Sequence, residues 1–312
     1  AVYADRGGDM NNSFDAGVFL QEEVMEIRFT KMQGCGNDYV YIDGFSCSLP
    51  EEQKPDFVRF ASDRHFGVGG DGVIFINPSS EADFEMEMYN ADGSRSEMCG
   101  NGIRCVAKYV HDKGMTDREC FSIISGGQVK RMELTVKDGR TEAVRVDMGE
   151  PELDPDKIPV TASGSRVVDE PISVDGKEYR MTCVSMGNPH AVIFSDGVEE
   201  MDLEKIGPSF ENHERFPRRI NTEFVEIRDR GRVRMRVWER GTGETLACGT
   251  GCCATAVAGV LNGLTDRKVT VEVTGGELLI EWDEQTNHVF MTGPARFVFE
   301  GTVEWEKGTP GL

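Results

Sequence analysis

The sequence predicts a mixed α/β fold of two similar halves, each mostly strands around one apolar helix. Three observations carry this. First, Cys99-Gly100-Asn101-Gly102 and Cys248-Gly249-Thr250-Gly251 each open a stretch with helical spacing of apolar residues. These are Ile103, Val106, Ala107 and Val110 in one, and Ala254, Val257, Ala258 and Leu261 in the other. Second, each stretch ends at a glycine 15 positions after its cysteine, Gly114 and Gly263, a common left-handed helix stop. Third, echoes recur at nearly one period. The cysteines (99 and 248) are 149 positions apart, as are Ser125-Gly126-Gly127 and Thr274-Gly275-Gly276, while Gly36-Asn37 and Gly187-Asn188 are 151 apart. Met148-Gly149-Glu150-Pro151 is echoed by Met291-Thr292-Gly293-Pro294. Ordered echoes argue for an internal duplication. Two facing halves would bring two cysteine-headed helices to one cleft.

A chain of 312 residues is long enough for two domains. No run of about 18 apolar residues occurs, so no membrane-spanning helix is expected. The net charge of −21 argues against nucleic acid or an anionic membrane as partner. Nine cysteines, an odd number without any Cys-x-x-Cys, argue against a disulfide scaffold and for a reducing compartment. Cys248, Cys252 and Cys253 are set aside as a zinc site, because adjacent helical residues diverge by about 100° and no nearby histidine completes a familiar set. No metal is expected.

Residues 1–24 are polar and aperiodic and read as a disordered leader, a targeting remnant or an appended segment. Gln33 to Asp38 is expected as a loop delivering Asn37, with a strand over Tyr39 to Ile42. A helix is expected over Pro55 to His65. The Gly-rich run Gly67 to Gly72 has no strand before it or helix after it, so it fails as a dinucleotide signal. Phe84, Met86 and Met88 alternate with Glu85 and Glu87, the pattern of a half-buried strand, and Val233, Met235 and Val237 repeat it. Further strands are expected over 121–124, 134–136, 145–148, 182–185, 191–194, 269–273 and 278–282. Phe297 to Trp305 is a last strand whose docking partner the pattern does not fix.

Each cysteine sits where a helix begins. There the unpaired N–H groups and the helix dipole favour negative charge, so its thiol is expected to ionise more readily. The Gly-rich loops leave backbone open to wrap a carboxylate. Two opposed thiols suit inversion at a carbon, one acting as base and the other as acid. Cys47, Cys105, Cys120, Cys183 and Cys253 read instead as core residues, and His65, His111, His213 and His288 as structural.

The motifs QGCGNDY, MYNADGSRSEMCGNGIRC, VSMGNPHAVIF, NTEFVEI and VWERGTGETLACGTGCCA resemble diaminopimelate epimerase, over about Phe29 to Phe299. The resemblance implies two pseudo-symmetric α/β (α+β) domains, each a barrel-like, mainly antiparallel sheet around a central helix, with the active site in the cleft between them. It puts one domain at 25–148 with 294–307 and the other at 149–293. It implies interconversion of LL- and meso-2,6-diaminopimelate in lysine biosynthesis, without cofactor. Cys99 and Cys248 would be the proton-transfer pair, tuned by His190 and Glu239. Asn37, Asn90, Asn188, Asn221, Gly100, Asn101, Gly249 and Thr250 would bind the substrate, and Glu239 with Arg240 its distal amino-acid head. A homodimer is left open.

Two departures stand out. Many bacterial members carry Gln where this chain has Gly72, and Cys35 and Cys252 fill positions usually held by an apolar or small residue. Asp71 to Phe75 and Val237 to Arg240 look like the plant, algal and cyanobacterial branch, which implies a plastid location for such a source and the cytoplasm otherwise. Two alternatives are weighed against the epimerase: a proline or hydroxyproline racemase of the same fold, and a non-enzymatic amino-acid-binding or thiol-redox protein. Glu239-Arg240 suits a distal amino-acid head that proline lacks.

Overall fold

The computed structural model describes residues 24–96 and 98–306. The leader expected over 1–24 lies, but for its last residue, outside them. The first half runs β1 (Val24–Gly34), β2 (Asn37–Asp43), α1 (Lys54–Ser62), β3 (Gly72–Asn77), β4 (Phe84–Asn90), β5 (Arg95–Ser96), α2 (Gly100–Asp112), β6 (Cys120–Ser125), β7 (Gln128–Lys137) and β8 (Arg140–Gly149). The second runs β9 (Glu170–Val174), β10 (Lys177–Ser185), β11 (Pro189–Phe194), α3 (Leu203–Glu211), β12 (Asn221–Asp229), β13 (Arg232–Glu239), β14 (Gly243–Thr245), α4 (Gly249–Leu261), β15 (Lys268–Val273), β16 (Gly276–Trp282) and β17 (Val289–Gly293). A final strand, β18 (Arg296–Glu306), follows.

The order from β1 to β8 repeats from β10 to β17, as the echoes predict. In the first half hydrogen bonding runs β18-β1-β2-β3-β4-β6-β7-β8, with β5 on β4. In the second it runs β9-β10-β11-β12-β13-β15-β16-β17, with β14 on β13. Most pairs are antiparallel; β2–β3, β4–β6, β11–β12 and β13–β15 are parallel. β8 and β17 pair and join the halves. β18 returns to β1, so the first half is completed by the last strand, in the place β9 holds in the second. Trp305 of β18, fully buried, packs edge-on against Phe57 of α1 at 5.6 Å between ring centres.

The structure corrects several local expectations. The loop expected over 33–38 shrinks to Cys35-Gly36, both at positive φ, and Asn37 already belongs to β2. The first helix is shorter than Pro55 to His65, because Asp63 returns to extended backbone. Glu87 is not on a solvent face: it is buried and bonded by Lys54, Asn77 and Tyr89. Cys120 is exposed at the start of β6, not a core residue, and Cys47 is half-buried. α2 and α4 are not helices with one buried face. Gly100 to Val110 and Gly251 to Gly259 are buried throughout, because the sheet of each half encloses its helix. Each fully buried Val or Ile there stabilises the fold by about 1.5–3 kcal/mol. No helix among the described residues is long and apolar enough to cross a membrane.

Candidate active site

The two cysteines stand at matching positions. Cys99 and Cys248 are the extended residues that cap the N-termini of α2 and α4. The Gly102 N–H donates to Cys99 Sγ at 3.3 Å, and Cys248 Sγ lies 3.5 Å from Thr250 Oγ1. Behind the thiols, Gly100 and Gly249 bring the first turns together. A Cβ on Gly249 would sit 3.6 Å from the Cα of Gly100. Asn101 bridges the halves: its Nδ2 donates to the Ala247 carbonyl at 3.3 Å and to Asn37 Oδ1 at 3.5 Å.

Asn37 is held for this purpose. Its Nδ2 donates to Asp71 Oδ2 at 2.6 Å, which turns Oδ1 toward the Cys99 thiol at 3.1 Å. Asn221 is engaged twice, donating to the Pro189 carbonyl and accepting the Arg240 N–H; it fixes the backbone that carries Arg240. The Arg240 guanidinium donates to the Arg218 carbonyl at 3.1 Å. Glu239 accepts from the Thr245 hydroxyl. Asn90, at the end of β4, donates to Ser94 Oγ at 3.1 Å, a turn contact. Asn188 Oδ1 faces His190 Nε2 at 3.0 Å. At Gly72, a Cβ would fall 2.0 Å from the Tyr89 carbonyl oxygen, so no side chain fits there without moving the β3–β4 pair.

The expected easing of thiol ionisation does not hold in this arrangement. Burial pushes Cys99 up, against the N–H groups of Gly102 and Asn101 that favour its thiolate. Burial pushes Cys248 well above the ordinary thiol range, and the Glu239 and Glu223 carboxylates add to it. Desolvation of the charged form outweighs the helix terminus here. Burial also raises Glu239, while the Thr245 hydroxyl, the Cys248 thiol and His190 pull it back.

Two residues escape a sequence reading. Glu223 is fully buried with His190 and lies 2.7 Å from His190 Nδ1. Arg104 is fully buried, and no carboxylate among the described residues pairs with it. It donates instead to the Gly100 and Pro294 carbonyls and to Asn101 Oδ1. Ligand-type atoms of His190, Glu223 and Cys248 lie within 4.8 Å of one another. Both His190 nitrogens already face oxygens, so the trio is a hydrogen-bonded cluster before it is a metal site. Cys252 and Cys253 stay in the core of α4.

Fold and site together define a class: a duplicated α+β protein with one thiol capping each of two abutting core helices. The sequence profile of diaminopimelate epimerase matches residues 29–153 and 182–298. A diaminopimelate epimerase of Acetivibrio thermocellus is 55% identical over 278 residues, covering 89% of this chain and 99% of the relative. One from Methanococcus maripaludis is 54% identical, covering 89% and 100%. A solved structure from Bacillus anthracis, a phenazine biosynthesis protein of the PhzF family, shares the fold at a TM-score of 0.66 and 15% identity, covering 89% of this chain and 99% of that one. The chain belongs to the diaminopimelate epimerase family.

Proposed function

We propose that the protein interconverts LL- and meso-2,6-diaminopimelate by two-thiol proton transfer, within lysine biosynthesis and without a cofactor. The observation that carries this is the pair Cys99 and Cys248, capping two helices whose first turns meet at Gly100 and Gly249. One cysteine, as thiolate, takes the α-proton. The other, as thiol, delivers its proton to the opposite face. The α-carbon inverts, the two sulfurs exchange protonation states, and no atom is gained or lost. Backbone N–H groups after Gly100 and Gly249, with Asn101 and Thr250, would stabilise the substrate carboxylate as charge develops. Asn37, Asn90, Asn188 and Asn221 would line the same end of the cleft. Glu239 and Arg240 would meet the distal ammonium and carboxylate, the guanidinium fork matching a carboxylate.

The domain limits 25–148 with 294–307, and 149–293, belong to the same proposal; the β18–β1 pair and the passage from β8 to β9 support them. So does a homodimer, supported by the exposed Val298 and Phe299 side chains of β18; sedimentation as a monomer would remove it. The reported relatives, bacterial and archaeal, lend the plastid expectation no support.

The test is LL-diaminopimelate in D₂O under reductant, followed by NMR and mass spectrometry, with proline in parallel. Deuterium at one α-carbon with appearance of the meso isomer, lost in Cys99→Ala and in Cys248→Ala, is the expected result. Exchange into proline alone would assign the racemase reaction.

A further inference from the structure

The duplication allows the surroundings of the two thiols to be compared position by position. The 151-residue echo that maps Asn37 onto Asn188 maps Tyr39 onto His190. The 149-residue echo maps Ile74 onto Glu223 and Gly102 onto Gly251. The geometry agrees. A Cβ on Gly102 would meet Ile74 Cδ1 at 2.8 Å and Cys99 Sγ at 3.7 Å, whereas one on Gly251 would meet Glu223 Oε1 at 2.6 Å and Cys248 Sγ at 3.3 Å. The scaffold behind Cys99 is an isoleucine and a tyrosine. Behind Cys248 it is a carboxylate and an imidazole, both fully buried.

The imidazole is held from both sides. His190 Nδ1 is 2.7 Å from Glu223 Oε1, and Nε2 is 3.0 Å from Asn188 Oδ1. With Glu223 ionised and the Asn188 oxygen toward the ring, both partners are acceptors, an arrangement that a ring with a proton on each nitrogen satisfies. Glu223 Oε2 has no hydrogen-bond partner among the described residues; the imidazole alone answers this carboxylate. The other ionisable groups packed on the ring's side of the site are Glu239 at the end of β13 and Cys248 at the head of α4. With Oδ1 toward the ring, Asn188 Nδ2 points away from it, at a side chain that is half-buried.

We infer that Glu223 is a positioning residue: through a doubly protonated His190 it locks the Asn188 amide so that a donor, Nδ2, faces the cleft and receives the substrate carboxylate. This deepens the epimerase reading and rests on it. Glu223→Gln removes the charge and keeps the shape. The neutral His190 then holds one proton, on Nδ1 toward Gln. Its bare Nε2 draws Asn188 Nδ2 inward, and the amide presents its oxygen to the substrate.

The experiment has two arms. In the first, ¹⁵N NMR of the ligand-free protein reads the His190 ring. Two protons at neutral pH in the wild type and one in Glu223→Gln are expected; a singly protonated wild-type ring overturns the inference. In the second, KM and kcat for LL-diaminopimelate are measured against pH. Glu223→Gln should raise KM by about tenfold or more at neutral pH, with a smaller change in kcat. KM should recover in acid, where the imidazole takes a second proton. A KM that stays raised in acid, or a loss in kcat alone, overturns it. Glu223→Asp keeps the charge and should retain both the two-proton ring and most of the wild-type KM; it also carries the test if the Gln variant fails to fold. Absence of turnover by the wild type, with the two-proton ring intact, would sink the epimerase reading and leave the dyad standing.

Discussion

Gly100 and Gly249 abut across the middle of the molecule: a Cβ built on Gly100 would lie 3.8 Å from the Cα of Gly249, and one on Gly249 3.6 Å from the Cα of Gly100. This contact brings together the helix starts that carry the two thiols, so its tolerance can be measured. Gly249→Ala would place a methyl 3.1 Å from Met291 Sδ, a tight contact with a flexible side chain. The expected outcome is a loss of about 1–3 kcal/mol in urea unfolding, with epimerisation reduced by more than the folded fraction explains. Full activity in a stably folded Gly249→Ala protein would show that the spacing does not matter.

Arg104 places a buried positive charge between three oxygens: the carbonyls of Gly100 and Pro294 and the side-chain oxygen of Asn101. Arg104→Met should leave these acceptors unanswered and cost about 3 kcal/mol or more. Asn101 would lose the contact that aims its Nδ2 at Ala247 and Asn37, so activity should fall with stability. Arg104→Lys should recover little, because an ammonium cannot reproduce the fork. Thermal melts and initial rates of both variants decide this.

Stability should depend on pH through the core thiols. Burial raises Cys105 to about 11 and Cys253 to about 12. A thiol whose folded value lies above its unfolded one contributes stability that is fully present below the unfolded value, about 8.5. That contribution is lost as pH rises toward the folded value. Under reductant, the unfolding free energy should therefore be insensitive to these thiols near neutrality and fall above about pH 8.5, by about 1.4 kcal/mol per pH unit for each such thiol. Cys105→Ala should make the fall shallower, and an unchanged slope would remove Cys105 from the account.

Gly72→Gln tests the departure from many bacterial family members. A Cβ there would be 2.0 Å from a backbone oxygen, so the variant should be destabilised by about 3 kcal/mol and gain no affinity. Tighter substrate binding with unchanged stability would show that the β3–β4 pair yields easily.

What could be read from the sequence was whatever local chemistry enforces. Cys99 and Cys248 were legible because a thiol followed by Gly-x-Gly at a helix start is rare for a core cysteine, and the duplication because turns need glycine at fixed places: Gly36, Gly114, Gly187 and Gly263 all take positive φ. Glu87 was illegible, because alternation assigns a charged residue between apolar ones to solvent, and Glu223 because a lone carboxylate in a strand reads as solvent-facing; only the enclosed helices and neighbouring elements bury them. Arg104 hid for a similar reason. A one-faced helix would leave it outside, and a helix wrapped by its sheet does not. The partner of β18 lies more than 260 positions away at β1, beyond any local pattern.

That last pairing bears on how the molecule is made. Strands β9 to β17 are contiguous in the chain, so the second half has all its parts as soon as Gly293 is synthesised. The first half emerges earlier yet stays one strand short until Arg296–Glu306 arrives to cover β1 and seat Trp305 against Phe57. On the ribosome the half begun first is the half finished last, and through that interval β1 offers an open edge to whatever chaperone or neighbouring chain meets it.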